Sequence, residues 1–373
     1  MKTTAAVLRS ASSPLRLEEL DIGPLRPDEL VVRKVSSGIC HTDLGVIASA
    51  AADEPPIVLG HEGAGIVTQV GSAVTTIAPG DHVVLSYNFC GRCDNCTAGL
   101  PMHCRHFMGL NFTGARGDGT TPLNDDAGPV LGAFFGQSSW STFAVATQRC
   151  CVKVGPELPL ALLGPLGCGI QTGAGAVLNT LKPAPGSSIA VFGVGSVGLA
   201  AVLAAVAAGC SPIIVVDIDD SALSKARQLG ATHIVNSSSS DPVGLIRDLT
   251  GGRGVQYTVD CIALPVVARA AIESLQAPGT CASVGFQGPS NNITVNQGHL
   301  LFGRTVIGVI EGDAVAAMLI PRLLKMYREG RFPFDRIIDT FAFADINEAI
   351  AAVRRGATTK AVLTYSPNDG SDA

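Results

Sequence analysis

A glycine-rich turn between an apolar strand and an apolar helix places the strongest constraint on the fold of this chain. The residues Gly193-Val-Gly-Ser-Val-Gly198 follow a buried strand predicted over 188–192 and precede a helix predicted to run to Ala208. The next predicted strand, 213–217, ends in Asp217, 19 residues after the last glycine. This arrangement is typical of a dinucleotide-binding unit, in which the backbone approaches a pyrophosphate at the helix N-terminus.

The acid at the end of the second strand indicates which dinucleotide is bound. A carboxylate at Asp217 would accept hydrogen bonds from the adenosine ribose and repel the 2′-phosphate of NADP, which favours NAD. The alternative is a glycine-rich turn with a purely structural role. The candidate cofactor residues in this segment are Gly193, Gly195, Val197, Gly198 and Asp217.

Strands and helices alternate through the segment that follows residue 170. Further apolar runs predict strands at 233–235, 255–260, 281–284 and 305–309, and amphipathic runs predict helices at 222–229, 243–249 and 266–275. Strands alternating with helices are typical of parallel sheets with crossover connections. We therefore predict an α/β fold with a doubly wound, six-stranded parallel sheet.

The first 150 residues have a different texture. Short runs rich in Val, Ile and Leu, separated by Gly, Pro and Asp, predict strands at 3–9, 15–20, 29–35, 65–70 and 82–85. This pattern favours a small barrel or sandwich. The C-terminal stretch predicts helices at 314–328 and 346–354 and a strand at 361–365.

Four cysteines fall within one short loop. The residues are Cys90, Cys93, Cys96 and Cys104, with the spacing Cys-x2-Cys-x2-Cys-x7-Cys. Four thiolates suit a closed tetrahedral zinc site, which has a structural role. An iron–sulfur cluster, whose ligands are also four cysteines, and a pair of disulfides are the alternatives.

A second set of metal-binding residue types lies in Gly38-Ile-Cys-His-Thr-Asp-Leu and Gly60-His-Glu-Gly-Ala-Gly. Cys40 offers a thiolate and His61 an imidazole, and Cys168 is the candidate third ligand. Three protein ligands and one open position define a catalytic zinc site. Asp43 could orient His61 through the ring nitrogen that does not face the metal, and Glu62 would lie close by. For each cysteine alone, inert packing is the alternative.

These segments resemble the zinc-dependent medium-chain alcohol dehydrogenases, most closely the branch that oxidises aryl and allylic alcohols. Three further segments carry the resemblance, which extends from about residue 4 to about residue 366: Phe135-Gly-Gln-Ser-Ser, Leu163-Gly-Pro-Leu-Gly-Cys-Gly-Ile-Gln-Thr-Gly and Arg331-Phe-Pro-Phe-Asp. The resemblance implies a GroES-like β-rich catalytic domain over 1–169 and 311–373, with both zinc sites, and a Rossmann NAD-binding domain over 170–310. It implies NAD and two Zn²⁺ per chain as cofactors.

The resemblance also implies roles for individual residues. Thr42 would take the proton of the substrate hydroxyl, and Glu62 would lie behind the zinc. His41 would contact a cofactor phosphate, and Lys360 either contacts the cofactor pyrophosphate or is a solvated lysine. One departure affects the proton path, because well-known members have a histidine where this chain has Gly45.

The expected substrate is a small primary alcohol with a flat apolar group. In the resemblance, Phe134, Phe135, Phe286 and Ile310 line the alcohol pocket and would favour aromatic or allylic alcohols, which are oxidised reversibly to aldehydes. For Phe134 and Phe135 the alternative is ordinary core packing.

Composition excludes several other classes of protein. The net charge is −5 and no Lys/Arg cluster occurs, which disfavours nucleic-acid binding. The longest apolar run, 199–208, is too short to cross a bilayer. The N-terminus does not read as a secretory signal, so we expect a cytoplasmic protein whose cysteines stay reduced. The resemblance implies a homo-dimer or homo-tetramer.

Two other functions fit the same fold. A zinc-free enoyl or quinone reductase would lack the metal ligands, and a non-catalytic NAD-binding protein would be expected to lose the ligands or the Thr42 hydroxyl. All of these groups occur in this sequence. The prediction is therefore a zinc- and NAD-dependent alcohol dehydrogenase.

Overall fold

The computed structural model describes residues 1–10, 13–51, 54–288 and 290–366. The chain forms two compact units. The first contains Met1–Cys168, Val315–Pro321 and the chain from Ile338 onward, and the second contains Gly169–Ala314 and Arg322–Ile337. The observed first boundary lies beside the predicted one after residue 169. Residues 311–314 and 322–337 lie in the second unit, whereas the prediction assigned them to the catalytic domain.

The secondary structure of the described residues alternates between short strands and mostly short helices. The strands are β1 Lys2–Leu8, β2 Arg16–Ile22, β3 Glu29–Gly38, β4 Ile57–Val58, β5 Gly63–Val70, β6 His82–Leu85, β7 Leu123–Asp125, β8 Gly128–Val130, β9 Phe143–Thr147, β10 Cys151–Val154, β11 Ile189–Phe192, β12 Ile213–Asp217, β13 His233–Asn236, β14 Val255–Asp260, β15 Leu275–Ser283, β16 Arg304–Gly308, β17 Ile338–Ala342 and β18 Lys360–Thr364. The α-helices are α1 His41–Ser49, α2 Asp94–Thr97, α3 Phe107–Asn111, α4 Gly169–Gly175, α5 Ser196–Ala207, α6 Asp220–Gln228, α7 Pro242–Leu249, α8 Pro265–Glu273, α9 Gln297–Leu301, α10 Ala316–Arg328 and α11 Ile346–Arg354.

The second unit is built on a parallel sheet in the order β13-β12-β11-β14-β15-β16. Strand β11 lies at its centre, and Val191 is in register with Val215 of β12 and Val259 of β14. All four residues of β11 are buried, as expected for a parallel sheet that is covered on both faces. The predicted doubly wound α/β fold is confirmed. The strand order reverses between β11 and β14, and the glycine turn follows β11 at that point.

The first unit is β-rich, and the predicted GroES-like class is also confirmed. One sheet runs in the order β10-β6-β5-β3-β18-β17, with β9 also paired to β3, and a second runs β4-β1-β2-β7-β8. Strand β18 pairs antiparallel with β3, so that Val362 lies opposite Gly38. The last strand of the chain is therefore adjacent to the segment that carries Cys40. Strand β17, which the sequence patterns did not predict, pairs with β18 in parallel.

The core of the first unit surrounds the segment before β5. Trp140 is fully buried, and a Cβ added to Gly60 would lie 2.5 Å from its ring. Gly60 also has a φ of +87°, a conformation that glycine adopts without strain. Close packing against Trp140 therefore fixes the backbone immediately before His61.

None of the helices in the described part of the chain has both the length and the apolar character needed to cross a membrane.

Candidate active site and metal centres

The structure brings Cys40, His61 and Cys168 together, with Glu62 beside them. One ligand atom from each of these four residues lies within 4.8 Å of the others. Cys40 immediately precedes α1, His61 and Glu62 precede β5, and Cys168 precedes α4. His61 is fully buried, and its Nε2 has no hydrogen-bond partner among the described residues. A buried ring nitrogen next to two thiols is the donor set that zinc prefers, so these residues fit a metal with one open position.

Asp43 contacts both segments that supply Cys40 and His61. Its Oδ1 lies 2.9 Å from His61 Nδ1 and accepts from the Gly60 N–H at 3.1 Å. Its Oδ2 accepts from the Cys40 N–H at 3.0 Å. The carboxylate is fully buried. One side chain therefore orients both ligand segments and directs Nε2 of His61 toward the cluster.

The electrostatics of the cluster favour the ligand form of Cys40. The contact with the Cys168 thiol and the neighbouring His61 hold the pKa of Cys40 well below its ordinary value, although burial opposes this. Burial acts to lower the pKa of His61, but Asp43 and Cys40 together raise it well above its ordinary value. A thiolate is the form in which cysteine binds metals, so Cys40 is held in its ligand form.

Glu62 and Lys360 form a buried ion pair next to the cluster. Lys360 Nζ lies 2.5 Å from Glu62 Oε2 and donates to the Ile39 carbonyl at 3.0 Å. Burial acts to lower the pKa of Lys360, but Glu62 raises it above its ordinary value. Because Lys360 is only 1% exposed, the interpretation as a solvated lysine is wrong. The predicted pyrophosphate contact stays a prediction, and it would require the ammonium group to share its interactions with Glu62.

Helix α1 carries the other predicted residues of this region. Thr42 Oγ1 lies 3.8 Å from Cys40 Sγ, and His41, the first residue of the helix, is exposed. Gly45 lies one turn along on the exposed face, and a Cβ added there would meet no atom within 4 Å. Packing therefore does not require a glycine at position 45.

The four cysteines of the loop also cluster. The Sγ atoms of Cys90, Cys93, Cys96 and Cys104 are mutually within 4.8 Å, with Cys90 to Cys96 at 3.9 Å and Cys93 to Cys104 at 4.0 Å. Tetrahedral zinc with Zn–S bonds of about 2.3 Å separates sulfurs by about 3.8 Å. Disulfides require about 2.05 Å, so that alternative is wrong. The arrangement fits a closed four-thiolate zinc site.

Backbone N–H groups support thiolates in this loop. The N–H groups of Arg92 and Cys93 point at Cys90 Sγ, at 3.5 and 3.3 Å. Those of Cys90 and His106 point at Cys104 Sγ, both at 3.4 Å. The N–H groups of Arg105 and Cys96 lower the pKa of Cys93 to about 6. Hydrogen bonds to the charged form favour ionised sulfur, which a metal then binds.

Phe134 and Phe135 pack directly against His61, the candidate metal ligand. The ring of Phe135 stacks on His61 with a centroid distance of 4.5 Å, and Phe134 approaches the same imidazole edge-on at 5.7 Å. Both phenylalanines are buried. The other two predicted pocket residues, Phe286 and Ile310, lie in the second unit, where they are 75% and 36% exposed.

The predicted dinucleotide residues also come together, within the second unit. Gly193 has a φ of +84°, and a Cβ on Gly198 would overlap the Gly193 carbonyl, so both positions require glycine. Asp217 ends β12, and its Oδ2 accepts from the Val194 N–H at 2.8 Å. The carboxylate therefore lies beside the turn between β11 and α5, which is where a ribose hydroxyl would be expected.

Two interactions at the metal-ligand cluster were not predicted from the sequence. The Lys360–Glu62 pair depends on the pairing of Val362 with Gly38, which are far apart in the chain, and no local pattern signals it. Gln137 was quoted only as part of a motif, although its buried amide contacts the segment that carries His61. Gln137 lies between Gly136 and Ser138, and no local pattern marks its side chain as buried.

Two family models match the chain: "Alcohol dehydrogenase GroES-like domain" over residues 26–156 and "Zinc-binding dehydrogenase" over residues 196–329. Geraniol dehydrogenase of Castellaniella defragrans is 44% identical over 97% of each chain. Alcohol dehydrogenase class-3 of Myxine glutinosa is 36% identical over 96% of each. The crystal structure of benzyl alcohol dehydrogenase from Acinetobacter calcoaceticus superposes with a TM-score of 0.94 at 41% identity, over 98% of this chain and 100% of that one.

The same family is indicated by both units of the fold, by the two clusters of candidate metal ligands and by the relatives that match over nearly the whole chain. The cofactors of this group of enzymes are zinc and NAD, and their substrates are small alcohols. This chain belongs to the zinc-dependent medium-chain alcohol dehydrogenase family.

Proposed function

We propose that this enzyme oxidises primary aromatic or allylic alcohols to aldehydes, reversibly, with NAD as the hydride acceptor. The observation that carries the proposal is the cluster of Cys40, His61 and Cys168, in which a fully buried imidazole presents an unpartnered Nε2 between two thiols. Zinc bound there would supply a Lewis acid that lowers the pKa of an alcohol hydroxyl, and NAD would accept the hydride.

The protein side of the reaction is positioning and proton transfer. Asp43 orients His61 and the Cys40 backbone, so the ligand geometry exists before the substrate arrives. Thr42 follows Cys40 directly, and its hydroxyl is the group proposed to take the proton from the substrate. Because Gly45 offers no side chain to continue a proton path along α1, we infer that the proton leaves through water or another group.

The substrate class rests on the aromatic surroundings of His61. Phe134 and Phe135 lie against the imidazole, which favours flat apolar groups near the reacting carbon. Phe286 and Ile310 are proposed to complete the pocket. The names of two relatives, a geraniol dehydrogenase and a benzyl alcohol dehydrogenase, support an allylic or benzylic substrate. In such alcohols, conjugation stabilises the aldehyde product.

The choice of NAD over NADP rests on Asp217. A carboxylate beside the glycine turn would bind the ribose hydroxyls and repel a 2′-phosphate. His41 and Lys360 are proposed to contact the cofactor phosphates. For Lys360, a phosphate contact would share the ammonium group with Glu62.

A combined metal and activity assay tests the proposal. We expect two zinc ions per chain and a higher kcat/KM for benzyl, cinnamyl and terpene-type alcohols with NAD than for ethanol. One zinc per chain with activity on enones or quinones would instead favour the zinc-free reductase class. Two zinc ions without activity on any primary alcohol would favour a non-catalytic NAD-binding protein.

We further infer a cytoplasmic homo-oligomer, a dimer or a tetramer. No disulfide joins the described cysteines, which suits a reducing compartment. Three consecutive apolar residues of the second unit, Leu300, Leu301 and Phe302, are exposed, and exposed apolar patches mark protein–protein contacts. Light scattering on the purified enzyme gives the oligomeric state, and a monomer at micromolar concentration would contradict this inference.

A further inference from the structure

The segment from Phe134 to Trp140 lies along the residues that lead into His61. Ser139 N–H donates to the Gly60 carbonyl at 2.8 Å, and Trp140 N–H donates to the Leu59 carbonyl at 3.1 Å. Ser138 Oγ donates to the Val58 carbonyl at 2.7 Å. We call residues 134–140 the histidine clamp. These hydrogen bonds pair the clamp with three consecutive residues before His61, and they fix the alignment of the two segments.

Gln137 is the central residue of the histidine clamp. Its Nε2 donates to the His61 carbonyl at 2.9 Å and to the Ser86 carbonyl at 3.1 Å. Its Oε1 accepts from the Gly63 N–H at 3.1 Å. The side chain is fully buried, so water cannot replace Gln137 as the hydrogen-bond partner of these three backbone groups. One amide thus ties the residues on both sides of Glu62 to the end of β6.

The clamp also fixes the plane of the imidazole. Phe135 stacks on the His61 ring with an interplanar angle of 28°, and Phe134 meets it at 79°. Phe135 has a φ of +51° and Ser138 a φ of +41°, conformations that cost non-glycine residues about 1–3 kcal/mol each. Such conformations persist only where the surroundings enforce them, and here they bring the Phe135 ring onto His61.

We propose that Gln137 and Phe135 are positioning residues that preform the catalytic metal site by fixing the backbone and the ring plane of His61. Asp43 alone sets the direction of Nδ1 but leaves rotation of the ring about that hydrogen bond free. The stacked ring of Phe135 removes this freedom, and Gln137 prevents the His61–Gly63 backbone from shifting. The inference rests on the proposed function, because it takes His61 as a metal ligand.

The test compares zinc retention in the wild type, Gln137→Met and a matched control. Gln137→Met keeps the length and the apolar stem but removes all three hydrogen bonds. The control is Gln256→Met, which removes the acceptor Oε1 of a 2.9 Å hydrogen bond from the Ser188 N–H in the second unit. Each protein is titrated with a zinc chelator, and bound zinc per chain is measured by mass spectrometry.

We expect Gln137→Met to lose one zinc at chelator concentrations roughly 10–100-fold below those needed for the wild type, as is usual when a group that orients a ligand is lost. The zinc of the cysteine loop should be retained, and Gln256→Met should follow the wild type. Equal zinc retention in Gln137→Met and the wild type would overturn the inference. Simultaneous loss of both zinc ions would also overturn it, because it would indicate general unfolding.

A second variant keeps the inference testable if Gln137→Met does not accumulate as folded protein. Phe135→Leu removes the stacked ring and keeps an apolar side chain. With Co²⁺ in the catalytic site, we expect its visible absorption bands to shift relative to the wild type, because the ring plane of a ligand changes. Unchanged bands together with unchanged metal retention would overturn the role of Phe135. A wild type with a single zinc per chain would contradict the proposed function instead.

Discussion

Lys360 Nζ lies 2.5 Å from Glu62 Oε2, and both side chains are shielded from solvent. Removing one partner of a buried ion pair leaves the other charge uncompensated, at a cost of about 3–5 kcal/mol. We therefore expect Lys360→Met to lower the free energy of unfolding by about 3–5 kcal/mol. The double variant with Glu62→Gln should recover much of the loss. Urea denaturation of the two single variants and the double variant measures the coupling, and fully additive losses would mean that the pair does not interact.

Lys34 presents the opposite case, because its buried Nζ has no hydrogen-bond partner among the described residues. Burial lowers the pKa of Lys34 to about 7. Unfolding restores an ordinary value near 10.4, so the unfolded chain binds more protons between these two pH values. The free energy of unfolding is therefore highest above the unfolded pKa, where Lys34 is neutral in both states, and it declines as the pH falls toward 7.

Lys34→Met should remove that decline. We expect the variant to be more stable than the wild type at pH 7, by on the order of a few kcal/mol, and the difference to shrink as the pH approaches 10. Lys153→Met, which replaces an exposed lysine paired with Asp81, is the control and should leave the pH dependence between about pH 7 and 10 unchanged. Unfolding titrations at several pH values measure both differences. A constant offset between Lys34→Met and the wild type would contradict the buried-charge explanation.

Cys93→Ser should remove one zinc per chain and lower the thermal stability, because a closed metal site contributes directly to folding. Metal analysis and a thermal melt are sufficient to test this. Cys210→Ser, in a buried cysteine of the second unit outside both clusters, is the control and should keep both zinc ions. Iron in the intact protein, or full stability in Cys93→Ser, would refute the structural-zinc assignment.

Asp217→Ala should relax the preference for NAD over NADP. The carboxylate beside the glycine turn is the group expected to repel the 2′-phosphate. Steady-state kinetics with both cofactors measures the ratio of the two kcat/KM values. Asp241→Ala, which removes a helix cap elsewhere in the second unit, should not change that ratio. An unaltered ratio in Asp217→Ala would remove Asp217 from the ribose site.

Phe286→Ala should lower the ratio of kcat/KM for benzyl alcohol to that for ethanol. One missing methylene in an apolar pocket already changes discrimination by about 1–3 kcal/mol, roughly 10–200-fold, so the loss of a ring should reach at least this range. Val266→Ala, at another exposed apolar position of the same unit, is the control and should keep the wild-type ratio. If the wild-type enzyme prefers ethanol, the aromatic-pocket proposal is wrong, whereas the zinc and NAD assignments would survive.

Local patterns were sufficient to predict much of the fold. The glycine turn, Asp217 and the apolar runs from β11 to β16 are encoded within short windows, and the four-cysteine spacing is contained in one loop. Cys40, His61 and Cys168 could be grouped only because the residues around them resemble a known family. Helix α1 was not predicted, since its first residues were considered as metal-site and turn residues.

Interactions between distant segments could not be predicted in the same way. Lys360 is brought to Glu62 by the pairing of β18 with β3, and this register depends on the whole first unit. Gln137 depends on a stretch with left-handed residues at Phe135 and Ser138, which sequence patterns describe only as a loop. The sequence identifies Lys360 and Gln137 as polar residues, but tertiary packing determines which groups they contact.

The pairing of β18 with β3 also has a consequence for how the enzyme is made. During synthesis, the segment with Cys40 and Glu62 emerges long before Lys360, the residue that neutralises Glu62. Pairings between distant segments form slowly, and incomplete chains expose unpaired strand edges. The first unit therefore cannot be completed until strand β18, Lys360–Thr364, has left the ribosome. A nascent chain that stops before residue 360 would carry an unpaired edge on β3 and an uncompensated carboxylate, which makes it a candidate for chaperone binding rather than metal loading.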